Sequence, residues 1–365
     1  MNTYPIILQE SEVNMAKKIL VVLLILLLAG CYNYNELNDL AIAVGLGIDK
    51  DENGYVVSLE IVNDNKDSTI YSVNGDTLDE AFSNLYSICP KKIFLSHLEV
   101  IIYGNNIDNI KDTLDFWARK KDIREDVLVF LSDKKAKDIL KATTNSKTIK
   151  AFNIKDVATS TYTNLSATKL LTLNELLDTY LNPNKEIVIP IITLINKNLK
   201  IKNMAILKDT KVINYLDNTD SVNYNILTNN TKELIINTKN LSTNLNNVST
   251  NIKVKDDLNV YINIKAKGTL IDVKKNLNLN NKEVIAELNN EIEKDIKDNI
   301  NNTLNKITNS NSDIIGILDN YYKNKYKYYL NIKDDWYNNY FNKLNYHISV
   351  NVNLYDKGKS LKVIK

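Results

Sequence analysis

Bulky and small side chains alternate along residues 40–48, with Leu40, Ile42, Val44, Leu46 and Ile48 set against Ala41, Ala43, Gly45 and Gly47. A period of two predicts a strand with one bulky and one small face, the small face open to a closely packed helix. The polar run Asp49-Lys50-Asp51-Glu52-Asn53-Gly54 turns the chain, and alternation resumes over 55–63. The pattern is that of a β-hairpin closed at Asn53-Gly54. Thr77-Leu78-Asp79-Glu80 has the form of a capping box. It opens a helix with Leu78, Ala81, Phe82, Leu85 and Ile88 on one stripe. Residues 93–103 read as a strand, 110–120 as a helix, 127–131 as a strand and 133–143 as a helix. Strands alternating with helices imply a mixed α/β first domain.

The pattern loosens over 144–200 and ends in a strand-like run at 186–194 around Pro190. Strand-like 204–207 and 211–216 flank a turn at Asp209-Thr210. The Asn- and Thr-rich stretch 218–250, with an apolar centre at 233–236, reads as surface loops and an edge strand. Val260, Ile262, Ile264 and Ala266 alternate as a strand. Residues 281–307 form the longest helix, with Val284, Leu288, Ile292, Ile296, Ile300 and Leu304 four apart. A spacing of four overshoots 3.6, so this stripe winds around the helix rather than forming a straight seam, as it would against a sheet or, alternatively, a partner helix. A helix at 314–329 and a strand at 346–354 follow. The whole reads as an α+β chain with antiparallel-rich sheets, an N-terminal mixed α/β domain at 31–200 and a C-terminal α+β domain at 201–365.

The first thirty residues follow a different rule. Residues 19–29 are one unbroken apolar run of 11 residues, too short to span about 30 Å of hydrocarbon as a helix. Lys17 and Lys18 precede it and Leu28-Ala29-Gly30-Cys31 closes it, the order of a secretory signal. Leu28, Ala29 and Gly30 with Cys31 make a lipobox, so Cys31 is expected to carry a diacylglycerol on its thiol, and its freed amine can take a third acyl chain. Two or three chains give the stable anchoring that one chain does not. Met15-Ala16-Lys17-Lys18 reads as the true start, with residues 1–14 ahead of it. Cys89 is then the one thiol left, expected to be packed and inert.

Composition narrows the chemistry. The chain has 365 residues, 44% hydrophobic and 25% charged, with 46 Lys+Arg against 44 Asp+Glu and a formal net charge of +2. These are globular values at a length of two or three domains, and the balance lacks the basic footprint of a nucleic-acid binder. Two Cys and two His do not supply the four clustered ligands of a structural zinc site. Asp49-Lys50-Asp51-Glu52-Asn53-Gly54, with Glu60 in twelfth place, matches the letters of a calcium-binding EF-hand loop. Its flanks are β-patterned rather than helical, and a hairpin turn explains the same residues. Ser96 and His97 adjoin in a segment read as a strand, where neighbours point to opposite faces, and neither they nor His347 form a catalytic or ligand set. No nucleophile elbow or phosphate-cradling glycine loop is present, and no enzyme, cofactor or metal emerges. Late aromatics from Tyr321 to Tyr346 suit core packing or a protein interface better than a base-stacking platform. Arg119 and Arg124 are the only arginines. A bidentate ion pair or a partner contact would favour Arg over Lys there, and so would nothing more than a solvated helix end.

The ordered segments resemble a known family. An aromatic follows the lipobox Cys31, then Glu36-Leu37-Asn38-Asp39-Leu40-Ala41-Ile42-Ala43-Val44-Gly45-Leu46-Gly47-Ile48-Asp49-Lys50-Asp51. This is similar to the opening of the Ger(x)C lipoproteins, the C subunits of GerA-type spore germinant receptors. Agreement continues at Ile93–Gly104, at Leu114-Asp115-Phe116-Trp117-Ala118-Arg119 through Ile123-Arg124, at Ala136-Lys137-Asp138-Ile139-Leu140, and at Ser312-Asp313-Ile314-Ile315-Gly316 before a Tyr-rich helix and Trp336. The family's usual Cys-Trp-Asp-x-x-Glu reads Cys31-Tyr32-Asn33-Tyr34-Asn35-Glu36 here, and Ile317 stands where members commonly have Phe. The resemblance implies a non-catalytic protein tethered by Cys31 to the outer face of the spore inner membrane, acting with a polytopic A subunit and a transporter-like B subunit in nutrient sensing. Direct binding of a germinant by this subunit is left open by it. The alternative from another class is a lipid-anchored solute-binding protein that delivers a ligand to a transporter; the late α+β region with its long helix argues against that class.

Overall fold

A computed structural model describes residues 17–21, 39–63, 65, 67–144, 149–273 and 277–356. Residues 1–40 and 41–365 form two compact units. In the first, 17–21 are helical and exposed. The second contains two sheets, one of nine strands and one of four, and is the mixed α+β architecture that the sequence pattern predicts.

The first sheet begins as read. β1 (Leu40–Asp51) and β2 (Gly54–Val62) pair antiparallel up to Asp51 opposite Gly54. β3 (Ser68–Gly75) adds to β2. β4 (Lys92–Phe94) pairs beside β1, and β5 (Val100–Tyr103), β6 (Leu128–Ser132) and β7 (Ile187–Ile195) run parallel beyond it. β8 (Asn198–Lys208) and β9 (Lys211–Leu216) close the sheet as a hairpin. Its turn holds Asp209 and Thr210 at φ of 48° and 64°, the left-handed pair of a two-residue hairpin loop. On one face lie α1 (Leu78–Ile88), α2 (Lys111–Arg119) and α5 (Leu173–Leu181), and on the other α3 (Ala136–Lys141) and α4 (Lys150–Leu165). Sequence order and helix placement thus sandwich the parallel strands, as buried parallel sheets require.

The second sheet has the order β10-β11-β12-β13, from β10 (Leu234–Asn237), β11 (Leu241–Val254), β12 (Asn259–Val273) and β13 (Asn345–Asp356). β12 and β13 are parallel, so the chain between them must cross over. It does so through α7 (Lys282–Asn309), α8 (Ile317–Asn324) and α9 (Tyr326–Ile332). Leu288, Ile292, Ile296, Ile300 and Leu304 of α7 are all buried, and the Val352 amide of β13 donates to Glu293 Oε1 at 2.8 Å. The winding stripe does lie on a sheet. α6 (Asn218–Leu227) wedges between the sheets: Tyr224, Ile226 and Leu227 share one core with Met204 and Ile206 of β8 and with Ile262 and Ile264 of β12.

Several expectations are corrected. β1 does not keep one bulky face. A bulge between Ala43 and Gly45 flips the alternation, so Ala41 and Ala43 share a core with Leu46 and Ile48 while Val44 lies in the opposite one. The small face survives after the bulge, where a Cβ on Gly47 would come within 3.1 Å of both Ala136 Cβ and Leu140 Cδ1 of α3. The strand at 93–103 is broken by a turn in which the Leu98 amide bonds Leu95 O, so Ser96 and His97 sit on that turn. Ile88 is exposed despite its place on the stripe. Residues 144–200 hold α4 and α5; α4 buries only Ala151, Ile154 and Ala158, too sparse a stripe to announce itself. The stretch 218–250 is not loops: Asp217 caps α6 by accepting from the Asp220 amide at 2.9 Å, and β11 follows, although β10 is the edge strand expected near 233–236. The helix at 314–329 is two short helices.

Buried carboxylates tie these layers together. Glu60 of β2 is fully buried and accepts from the Lys150 amide at 2.9 Å, the Ala151 amide at 2.8 Å and the Ser68 hydroxyl at 2.7 Å. It meets N–H groups that the first turn of α4 leaves unpaired. Glu60→Ala is therefore expected to lower stability by about 2–3 kcal/mol, read as a fall in the urea midpoint. Glu52→Ala, in the exposed hairpin turn, stays within about 0.5 kcal/mol of the parent.

Candidate functional site

The letters that mimic a calcium loop have another use in the fold. Asp49 is 2% exposed and its two oxygens accept from the Ala136 amide at 2.8 Å and the Lys137 amide at 2.9 Å. Burial pushes its carboxyl above the usual Asp range, against the pull of those two amides. Asp49 and Glu60, the first and twelfth letters, thus serve two different helices, α3 and α4. Among the described residues no group of three His, Cys, Asp or Glu converges on a point that could hold a metal ion.

The densest polar constellation joins the end of the first sheet to the segment before α8. Asp313 is fully buried; one oxygen accepts from the Gly316 and Ile317 amides, both at 2.9 Å, and the other from Leu318 at 2.7 Å. Gly316 turns the chain there at φ 75°, a conformation that glycine adopts without strain. The Glu186 amide donates to Asp313 O at 3.2 Å, and the Tyr337 hydroxyl donates to Glu186 Oε1 at 2.9 Å. Lys208 Nζ lies 3.7 Å from the Tyr337 ring centroid and donates to Asn311 O at 2.7 Å. The Tyr329 hydroxyl donates to Asn184 Oδ1 at 3.1 Å. Burial raises Glu186 and Tyr337, and raises Asp313 to about 6 because desolvation outweighs its three amide donors. This assembly offers no free nucleophile or base to a substrate. Its chemistry is that of a locked joint.

A cleft of about 510 Å³ opens beyond the carboxyl ends of β5 and β6, lined by Asn105, Asp108, Leu131, Asp133, Lys202 and Tyr215 among others. Its walls are tied together, for the Ile110 amide donates to Thr210 O at 3.4 Å and Lys202 pairs with Asp133 at 3.2 Å. In open α/β sheets this is where small ligands bind, and neither His nor Cys lines it. The sequence did not single it out, because its residues come from five separate loops and strands.

The residues marked by sequence fall apart in space and in role. Arg119 grips Asp115 through two bonds of 3.0 Å, and Arg124 forms a bidentate pair with Asp126. Both arginines are well exposed, and both aspartates are held below the usual Asp range by their guanidinium partners. Ser96 donates to Asp122 O, His97 packs on Phe94, and His347 stacks on Tyr261. Trp336, Tyr321 and Phe341 are core residues, while Tyr322 and Tyr326 are exposed. Cys89 is partly buried at the end of α1. Met15, Leu28, Ala29, Gly30 and Cys31 lie outside the described residues. Among the described residues no helix is long and apolar enough to cross a membrane.

Comparison with known proteins returns two family models in chain order. Residues 33–194 match the spore germination protein N-terminal domain, and residues 202–358 match the spore germination B3/GerAC-like C-terminal domain. The chain is 27% identical over 159 residues to YfkR of Bacillus subtilis (strain 168), a protein named for spore germination, covering 39% of this chain and 41% of that one. It is 25% identical over 145 residues to spore germination protein KC of the same organism, covering 34% and 36%. The matched stretches thus span about two fifths of these relatives or less. The GerBC crystal structure superposes with a TM-score of 0.59 at 15% identity, covering 85% of this chain and 97% of that one, which is a likeness of fold.

The joint at Asp313 carries a pH signature. Its carboxyl titrates at about 6 in the fold against about 3.9 in an unfolded chain, so between these values the native state holds a proton that the unfolded state has lost. Its contribution is full below about pH 4 and is lost as pH rises through 6, by about 3 kcal/mol in total. Asp313→Asn removes that slope. Urea midpoints of parent and variant, measured from pH 4 to 7, should show the parent falling relative to the variant as pH rises; parallel curves would contradict the assignment.

Proposed function

Because the chain belongs to the Ger(x)C family of spore germination proteins, we propose that it is the non-catalytic, lipid-anchored C subunit of a nutrient germinant receptor. In this reading Cys31 carries the anchor and holds domains 31–200 and 201–365 at the outer face of the spore inner membrane. There the chain acts with polytopic A and transporter-like B subunits. The observation that carries the reading is the ordered match of both germination-domain models over 33–194 and 202–358. The interior supports it: the strongest buried acids cap helices or lock a joint, and such groups build a rigid body rather than a reaction centre. Confinement to one membrane raises the effective concentration of its partners, so weak subunit contacts suffice.

Cys31→Ala is expected to abolish both membrane fractionation and nutrient-triggered germination of spores, while germination by calcium dipicolinate persists. Lost anchoring with normal nutrient germination would overturn the receptor role.

Arg119 and Arg124 are proposed as partner contacts, supported by their exposure and by their being the only arginines. Reversal of both charges, Arg119→Glu with Arg124→Glu, should reduce recovery of the A and B subunits in a pull-down by tenfold or more, the scale of one lost charged contact (about 1.4 kcal/mol per tenfold). Unchanged recovery would remove them from the interface.

A further inference from the structure

Among the described residues the second sheet buries one face against α7 and leaves the other uncovered. Side chains on the bare face follow from the register. Lys253 stands opposite Tyr261, Lys265 opposite Ser249 and Asn351, and Lys267 opposite Asn246 and Asn353. All three lysines are exposed, and among the described residues none has an ion-pair partner. Their neighbours are neutral amides and hydroxyls. The nearby acids lie at the ends of the face and are mostly engaged: Asp256 pairs with Lys325, Asp257 accepts from the Asn259 amide, and Glu233 accepts from Asn244. Asp272 is exposed at the far end of β12. That end also carries apolar side chains. A bulge leaves Tyr355 56% exposed, its hydroxyl accepting from Asn246 across β12, and a second leaves Ile271 57% exposed.

We propose that this bare face rests on an anionic membrane surface. Lys253 and Lys265 line an open hollow of the sheet with Asn263 and Asn351, and Lys267 stands beyond it. Such a spread of like charge suits a diffuse layer of lipid headgroups, to which compact, hydrated ammonium groups add attraction one by one. Exposed Tyr and Ile at the edge of such a field suit the boundary between headgroups and acyl chains. A protein partner of opposite charge would instead be expected to meet buried aromatic or Arg anchors in a pocket, and the lysines here stand on an open sheet. The inference rests on the reading of the chain as membrane-attached through Cys31. It goes further by giving the tethered body a preferred face, so that a lipid anchor and a basic face act as the two signals that firm membrane association needs.

The acylated full chain, with Cys89→Ser and a bimane fluorophore on Asn263→Cys at the centre of the face, tests this in two readouts. Flotation with phosphatidylcholine vesicles, with or without phosphatidylglycerol, reports attachment. Quenching of the bimane by a headgroup spin label reports apposition. At about fivefold per lysine, the three together bias apposed over free orientations about 100-fold. Quenching is therefore expected only with phosphatidylglycerol, to fade in high salt, and to vanish in Lys253→Glu/Lys265→Glu/Lys267→Glu while flotation persists. Flotation without quenching in any vesicle overturns the inference and leaves attachment standing. Quenching indifferent to salt and to the three reversals overturns it as well. A chain that fails to float overturns the attachment reading and the inference with it.

Discussion

A helix that starts inside a protein leaves amide hydrogens without partners, and an unmet buried donor costs more than most contacts repay. In this chain three helices begin under cover, and each is met by a buried carboxylate from a distant or neighbouring segment. Asp49 reaches α3, Glu60 reaches α4 and Asp313 closes on the start of α8. The first two reach across 87 and 91 residues of sequence. They fix where helices lie on the sheet, and therefore which residues can be as small as Gly47. Asp313, with Glu186, Tyr337 and Lys208, then binds the end of the first sheet to the helices that lead back to the second. Removal of these acids would leave a hydrophobic core intact in composition but undefined in geometry.

That use of acidic residues explains why a search for chemistry in the sequence returns so little. Carboxylates that would make a metal loop or an acid–base pair are consumed by backbone amides. The remaining charges stand outside, as the Arg119–Asp115 and Arg124–Asp126 pairs and as the lysines of the exposed sheet face. A body with a rigid interior and polar, differentiated surfaces is suited to docking, which is what a membrane-tethered receptor subunit would have to do.

Much of the fold was legible where the signal is local. The β1–β2 hairpin, the capped start of α1, the β8–β9 turn and the stripe of α7 all follow from residues within one or two turns of each other. What was missed needed partners far away. β3 has too few apolar residues to declare itself and exists because β2 offers an open edge. α4 packs through two alanines and one isoleucine. α6 and β11 are rich in Asn, yet Asn223 and Asn225 are buried because Thr303 and the carbonyls of Ser166 and Thr168 receive them. The block Ser312–Gly316 was visible as a motif, but its reason, a buried cap beside Glu186 and Tyr337, required the fold. The cleft beyond β5 and β6 left no trace in the sequence at all.

The most direct test of a tethered receptor subunit is the chemical identity of the mature N-terminus, measured by mass spectrometry on the chain extracted from spore membranes. The account predicts a chain that begins at Cys31 and carries diacylglycerol on its thiol. A chain that retains residues 15–30, or that begins at an unmodified Cys31, would contradict it.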